Sequence, residues 1–244
     1  MPMFSILHPT VRPAKWRAIR DLWIDRARRP NQIEYLLGYH IDQLAEFSPI
    51  SSAPQYACRF RVFHNHGENH PTRNGRSSLV DTVNLLASKA EGSILIVSAD
   101  DQEAPQSWDE DLAAAIAEWQ AERAVGAGDE FVMQVSTGTP NDAHRPELMT
   151  LQILSRAWYG RFGYVFHPRY TGMYADNEFS DVARHAGVVI DARHLVFQHK
   201  HPLFDARVPM DDWYSRGNAK HEYDLGRDTY VRRRALDFPP EASW

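Results

Sequence analysis

Ser93-Ile94-Leu95-Ile96-Val97-Ser98-Ala99-Asp100-Asp101 contains the most apolar strand-like run of the chain, and it ends on two adjacent carboxylates. A short apolar segment bounded by Gly92 and an acidic pair reads as a buried strand. In an open α/β sheet such a strand delivers the residues after it to the carboxyl edge, where ligands bind. Carboxylates there suit Mg2+ or Mn2+, which prefer hard oxygen ligands and leave positions open for phosphate oxygens. The plainer reading is a solvated turn in which an Asp caps the next helix.

The segments on either side carry the same alternation. Upstream, Leu79 to Ala90 spaces Val80, Val83, Leu86, Ala87 and Ala90 for burial on one helical face. Earlier still, Phe4 to His8 reads as a strand stopped by Pro9 and Pro13, and Ala14 to Arg28 as a helix with Trp16, Ile19, Leu22 and Trp23 on one face. Ile33 to His40 and Tyr56 to Phe63 are two more strands. Strand, helix, strand at this spacing predicts an α/β, Rossmann-like domain with a mostly parallel central sheet flanked by helices. Downstream, the pattern predicts a helix over 105–124, a strand over 131–135, a helix over 148–159 and an aromatic loop over 164–174. A short helix over 178–186 follows, then strands over 188–190 and 194–198 and a polar tail with a helix over 227–234. With no repeat and no low-complexity linker, residues 1–244 are expected to form one domain. It would comprise a nucleotide half (about 1–104), an acceptor half (about 105–208) and a tail (about 209–244).

Composition narrows the function. A chain of 244 residues with 43% hydrophobic and 24% charged residues can bury a full core. A net charge of −5 gives no general attraction to nucleic acid or anionic membrane. Lysine occurs only at 15, 89, 200 and 220, so the cationic side is nearly all arginine, whose fork suits phosphate. A single cysteine, Cys58, excludes an internal disulfide and makes a reducing, cytoplasmic setting the default. No apolar stretch approaches the roughly 20 residues of a membrane helix, and the first ten residues lack a signal peptide's pattern.

The run Ser98-Ala-Asp100-Asp101 after an apolar strand resembles the Asp-x-Asp region of family 2 glycosyltransferases of the A-type fold, with Ser98 in place of a first Asp. Other pieces follow in the order of that family. Pro9-Thr10-Val11-Arg12 resembles the start of its nucleotide pocket, with the Arg one place early. Asp42 falls where the family keeps an acidic residue that reads the base. Gly75-Arg76-Ser77 and Asn84 resemble its diphosphate-flanking residues. The resemblance covers roughly residues 4–202. It implies a hexosyltransferase using a nucleotide-sugar donor, a UDP-sugar foremost, with Mn2+ or Mg2+ as cofactor. Thr10, Arg12, Asp42, Arg76, Asn84 and Ser98 would then contact the donor; Asp100 would take the metal, supported by Asp101.

In the second half, Tyr174-Ala-Asp176-Asn-Glu178-Phe179 resembles the acidic acceptor-side motif that carries the catalytic base of inverting members. A sugar hydroxyl has a pKa far above 7, so a positioned base must take its proton. Asp176 is the first choice, with Glu178 as the alternative and N-capping of the next helix as the structural reading of Asp176. Val196-Phe-Gln-His199-Lys-His201 places two imidazoles on one face of a strand, and at least one is expected at the metal or pyrophosphate. Arg216, in Tyr214-Ser-Arg216-Gly-Asn218, resembles a lid residue over the diphosphate; an exposed tail without chemistry is the other reading. The His-rich loop His64-Asn-His66-Gly-Glu68-Asn-His70 has no zinc-hydrolase spacing and reads as surface loop.

Two other classes compete. A nucleotidyltransferase would also use strand-end carboxylates, but the first strand lacks the Gly-rich loop it needs. A non-catalytic nucleotide-sugar binding protein would not need an acceptor-side carboxylate. The acceptor hydroxyl, on a glycan, lipid-linked glycan, protein or modified DNA base, is not readable from the sequence.

Overall fold

Phe4–Pro9 (β1) alternates its side chains across a sheet: Phe4 and Ile6 enter one core, Leu7 the other. Ile94–Val97 (β4) does the same, sending Ile94 and Ile96 to the first face and Leu95 and Val97 to the second. Both faces are therefore buried, which explains why these strands read as continuous apolar runs.

A computed structural model describes residues 2–47, 57–66, 78–123, 126 and 128–240 of the chain. Its central sheet has seven strands in the order β3-β2-β1-β4-β7-β6-β8. β2 is Ile33–His40, β3 Arg59–Asn65, β6 Val132–Ser136, β7 Ile153–Ser155 and β8 Val189–Val196. All neighbouring pairs are parallel except the two made by β7. A second, two-stranded sheet pairs Gln102–Glu103 (β5) with Gln198–His199 (β9) antiparallel, Gln102 opposite His199.

Trp16–Asp25 (α1) and Trp108–Arg123 (α4) contribute Trp23, Trp108, Leu112 and Trp119 to one core. Trp23 and Trp108 meet edge to face, the Trp108 indole donates to the Trp23 carbonyl, and the Trp23 indole donates to the carbonyl of Gln102. The indole N–H groups of Trp23 and Trp108 are thereby satisfied, and the turn carrying the acidic pair is tied to the core. On the other face lie Leu79–Lys89 (α3), Arg156–Phe162 (α6) and Ala175–His185 (α7), which bury Val83, Leu86, Trp158 and Phe179. A capping box of Ser78 and Asp81 starts α3. The short helices Leu44–Phe47 (α2), Asn141–His144 (α5) and Asp212–Gly217 (α8), and the long Lys220–Ala235 (α9), complete the chain.

One expected element is replaced. The helix read over 148–159 is a buried strand, β7, followed at once by α6. Leu151 to Ser155 is buried at every position because β7 lies between β4 and β6, and a run buried on both faces carries no period that separates a strand from a helix. Ser155 then caps α6 by accepting from the Trp158 amide.

The C-terminal helix is locked onto α7 by a buried ion pair. Arg233 grips Glu178 through two bonds of 2.6 and 2.7 Å, and Tyr170 donates to the same carboxylate at 2.8 Å. Their side chains are only 1% and 7% exposed. Gly226 allows the close approach of α9, since a Cβ there would stand 2.4 Å from the Met173 carbonyl oxygen. Removing one partner of a buried pair strands the other's charge. Arg233→Ala is therefore expected to cost about 3–5 kcal/mol of stability in urea unfolding. Adding Glu178→Gln should restore part of that loss; if the double variant is no better than the single one, the charge was not the cause.

Candidate active site

In the order β3-β2-β1-β4, the chain leaves β1 in one direction for β2 and in the other for β4, so the carboxyl ends of β1 and β4 flank the topological switch point. The chain closes this crevice with polar contacts. Thr10, just after β1, donates its hydroxyl to both oxygens of Asp100, at 2.8 and 3.0 Å. His8 Nε2 lies 3.0 Å from Asp100 Oδ1, and His8 Nδ1 meets the hydroxyl of Tyr35. Burial and the charge of Asp100 push the Tyr35 pKa well up, so that phenol keeps its proton and donates it. His8 Nδ1 is then the acceptor, and its Nε2–H points at the carboxylate. Arg12 approaches the second oxygen of Asp100 to 3.5 Å.

Asp101 faces the other way. The Lys200 amide donates to its carbonyl oxygen at 2.7 Å, and the β5–β9 pairing sets His199 alongside. His199 Nε2 is 3.4 Å from Asp101 Oδ2, and the Tyr214 hydroxyl donates to the same oxygen at 2.8 Å. Burial pushes the Asp101 pKa up, but His199, Tyr214 and His201 outweigh it and hold the group below its ordinary value, so it stays ionised. The His201 ring packs edge to face on those of His199 and Tyr214. Burial, reinforced by His199 and Arg12, lowers the His201 pKa against the pull of Asp101 and keeps the ring neutral at pH 7.

The third wall comes from α8. Asp211 caps the helix by accepting from the Tyr214 amide, and its carboxylate accepts the Arg12 fork at 2.8 and 3.1 Å. Lys15 stands 3.3 Å from the same carboxylate. The Arg12 guanidinium lies 4.1 Å from the centre of the Tyr214 ring. Burial would lower the Arg12 pKa, but Asp211, Tyr214 and Asp100 reverse the direction.

The expected metal set is thus divided. Among the described residues no three His, Cys, Asp or Glu side chains converge on a position for a metal ion. Asp100, expected to be the principal ligand, is occupied by Thr10, His8 and Arg12; Asp101, expected to support it, is the carboxylate beside the histidines. Ser98 lies fully buried at the end of β4 with its hydroxyl unpartnered among the described residues. Asn84 is spent elsewhere: its amide donates to the Phe166 carbonyl and accepts from the Val165 and Phe166 amides, clasping that loop to α3. Asp42 is exposed beyond β2, 3.2 Å from His40. Arg216 is exposed too, stacked over Trp213 and not turned onto the cluster. Arg76, Glu68 and His70 lie outside the described residues.

Asp176 and Glu178 share the first turn of α7, which begins at Ala175, three residues before the expected start. Glu178 is held on the buried side by Arg233 and Tyr170, with both oxygens engaged. Asp176 is half-buried and accepts the Asn177 amide at 3.0 Å. Burial raises its pKa, opposed by the charge of Arg145. Tyr174, immediately before the helix, holds a left-handed backbone at φ 67°, a costly state for a bulky residue. It is fixed there by a 2.7 Å bond between its hydroxyl and that of Tyr223 on α9. The N-cap is Tyr174, so the capping role considered for Asp176 does not arise.

His8, Tyr35 and Arg145 carry no motif of their own, and the stretch holding Asp211 and Tyr214 was read only for Arg216. Tyr214 and Asp101 are 113 positions apart, and no local spacing could have paired them.

Solved structures share this arrangement of strands and helices. A mannosyltransferase of Pyrobaculum calidifontis (PcManGT), solved with GDP-Man and Mn2+, superposes with a TM-score of 0.58 at 14% identity over 96% of this chain and 75% of its own. TarS of S. aureus (residues 1–349, with UDP-GlcNAc) gives 0.58 at 12% identity over 97% and 73%. Glucosyl-3-phosphoglycerate synthase of Mycobacterium tuberculosis, with Mn2+, UDP and glucosyl-3-phosphoglycerate, gives 0.52 at 12% over 98% and 81%. The fold is that of A-type glycosyltransferases, as the resemblance read from the sequence implied. The sequence itself matches no protein-family profile and no curated protein.

Since the Arg12 fork grips Asp211 at the head of α8 and stacks on Tyr214, Arg12→Ala should loosen that helix selectively. Amide hydrogen exchange over 211–217 is expected to speed up at least tenfold, with β1 and β4 unchanged. Unaltered protection of α8 would show that it is held by other contacts.

Proposed function

We propose that this chain is a metal-dependent glycosyltransferase that moves a sugar from a nucleoside-diphosphate sugar to an acceptor hydroxyl with inversion. The observation that carries this reading is the pair Asp100–Asp101 at the switch point, with one carboxylate tied to Thr10 and the other set beside His199. A divalent cation that keeps positions for phosphate needs only one or two protein ligands. Asp101, with His199 or His201, supplies a carboxylate oxygen and an imidazole nitrogen, a donor set that suits Mn2+. A bound ion would offset the charge that gathers on the departing diphosphate. Asp100, held by Thr10, then faces the nucleoside part of the donor, and Arg12 is the nearest cation for its phosphates. A UDP-sugar is the first donor to test.

On the acceptor side Asp176 is the base and Glu178 is structural. The acceptor oxygen attacks the anomeric carbon, its proton passes to Asp176, and the bond from that carbon to the diphosphate oxygen breaks with its electron pair going to the diphosphate. One displacement inverts the carbon, so an α-linked donor gives a β-linked product. Burial raises the Asp176 pKa, which suits a base working near neutrality. Among the described residues no helix is long and apolar enough to cross a membrane. Burial lifts the Cys58 thiol to about 11, which keeps it protonated and unreactive near neutral pH.

Calorimetric titration of UDP with Mn2+ present is expected to show binding that EDTA weakens strongly. Asp101→Asn should lower the Mn2+-dependent affinity by at least about tenfold. Equal affinity with Mn2+ and with EDTA in the native protein would remove the metal from the proposal.

Asp176→Asn should keep UDP binding and lose turnover by about 10²–10⁴-fold. Because the base must be ionised and its pKa is raised, native kcat/KM should fall with decreasing pH above the usual aspartate range. Near-normal turnover in Asp176→Asn, or a product whose anomeric proton coupling shows retention, would overturn the assignment of the base.

A further inference from the structure

The groups proposed to receive the donor are already taken, and one short stretch of the chain takes them. Asp211 lays its carboxylate on the Arg12 fork at 2.8 and 3.1 Å, with Lys15 at 3.3 Å. A carboxylate on a guanidinium fork makes the same paired, charge-assisted bonds that a phosphate makes there. On the first turn of α8 the Tyr214 hydroxyl donates to Asp101 Oδ2 at 2.8 Å, the oxygen that also faces His199 at 3.4 Å. The phenol proton thus sits on the oxygen that a cation would use.

Charge makes the two occupations exclusive. With α8 in place, the carboxylates of Asp100, Asp101 and Asp211 surround Arg12 and Lys15, so acids outnumber cations. A diphosphate, itself an anion, would be repelled by Asp211 and would find the Arg12 donors spent. With Asp211 withdrawn, Arg12 and Lys15 balance Asp100 and Asp101, and a divalent ion would tip the sum positive. The helix is also fastened lightly. Of Asp212–Gly217 only Tyr214 is buried, while Trp213, Ser215 and Arg216 are exposed. The segment leading into it bonds back on itself, the amides of Phe204 and Asp205 to the His201 carbonyl and that of Val208 to the Asp205 carbonyl. A stretch with so little buried side chain opens at low cost.

We propose that α8 is an autoinhibitory latch: Asp211 and Tyr214 stand in for the donor's phosphates and for its metal ion, and the donor binds as the helix lets go. This rests on the sugar-transfer reading for the identity of the ligand. A latch lowers the apparent affinity by the fraction of molecules that are open, so loosening it must tighten binding. A helix that only braced the site would give the opposite sign.

Two variants of the full chain test this. Asp211→Asn keeps the cap of α8, because Asn caps as well as Asp, but loses the charge that mimics phosphate. Tyr214→Phe keeps the ring on Arg12 and loses the bond to Asp101. Calorimetric titrations use UDP with Mn2+, and inorganic pyrophosphate alone. Both variants are expected to bind UDP with Mn2+ at least about fivefold more tightly than the native chain, and Asp211→Asn to show the same gain for pyrophosphate. Saturating UDP with Mn2+ should also speed amide exchange over 211–217 in the native chain, where ordinary ligand binding slows it. Where UDP binds the native chain, equal or weaker binding in either variant, or slower exchange in α8, overturns the latch and leaves sugar transfer standing. Where UDP binds no chain, sugar transfer falls and pyrophosphate decides the latch: tighter binding by Asp211→Asn supports it, and no gain overturns it.

Discussion

Two carboxylates on consecutive residues at the end of a buried strand repel each other, and each must be given its own partners before the turn can exist. The fold answers by sending them in opposite directions. Asp100 turns back into the sheet, where Thr10 and His8 of the neighbouring strand meet it; Asp101 turns outward to the small second sheet, where His199 is waiting. The rest of the molecule follows from that division. β1 must lie beside β4 to bring Thr10 within reach, and β9 must pair with β5 to hold the histidine. The tail must fold back so that Asp211 engages Arg12 and Tyr214 reaches Asp101.

The second half repeats the same logic with two other acids. Asp176 and Glu178 share a helical turn, yet one is sealed by Arg233 and Tyr170 while the other keeps an open side. Environment, not residue type, separates a structural carboxylate from one available for chemistry. Helix α9 takes part in both outcomes. It neutralises Glu178 from within and, through Tyr223, holds the strained Tyr174 that precedes Asp176.

Much of this was legible in the residues. Strand β4 and its acidic end, the α1 face with its two tryptophans, the buried face of α3 and the alternation of strands and helices all announce themselves locally. The α/β sheet follows from them. What was hidden had a physical reason in each case. Strand β7 is buried on every side, so its pattern cannot be told from a helix. The roles of Asp100 and Asp101 depend on which way a turn points, and that is set by Thr10 and His199, each about 90 or more positions away. Asn84 was placed beside the diphosphate by resemblance alone, and its amide partner is a loop 82 positions downstream. Tyr214 belongs to a stretch whose resemblance to a lid drew attention to Arg216 instead.

Trp23 gives the molecule an unplanned property. Its indole is fully buried, its N–H holds the carbonyl of the residue that follows Asp101, and its ring lies against those of Trp108 and Phe197, two positions before His199. Both arms of the acidic turn therefore rest on one pair of coupled chromophores. A rearrangement of that turn that breaks the Trp23–Gln102 bond would change the surroundings of that pair, and near-ultraviolet circular dichroism reads such a change.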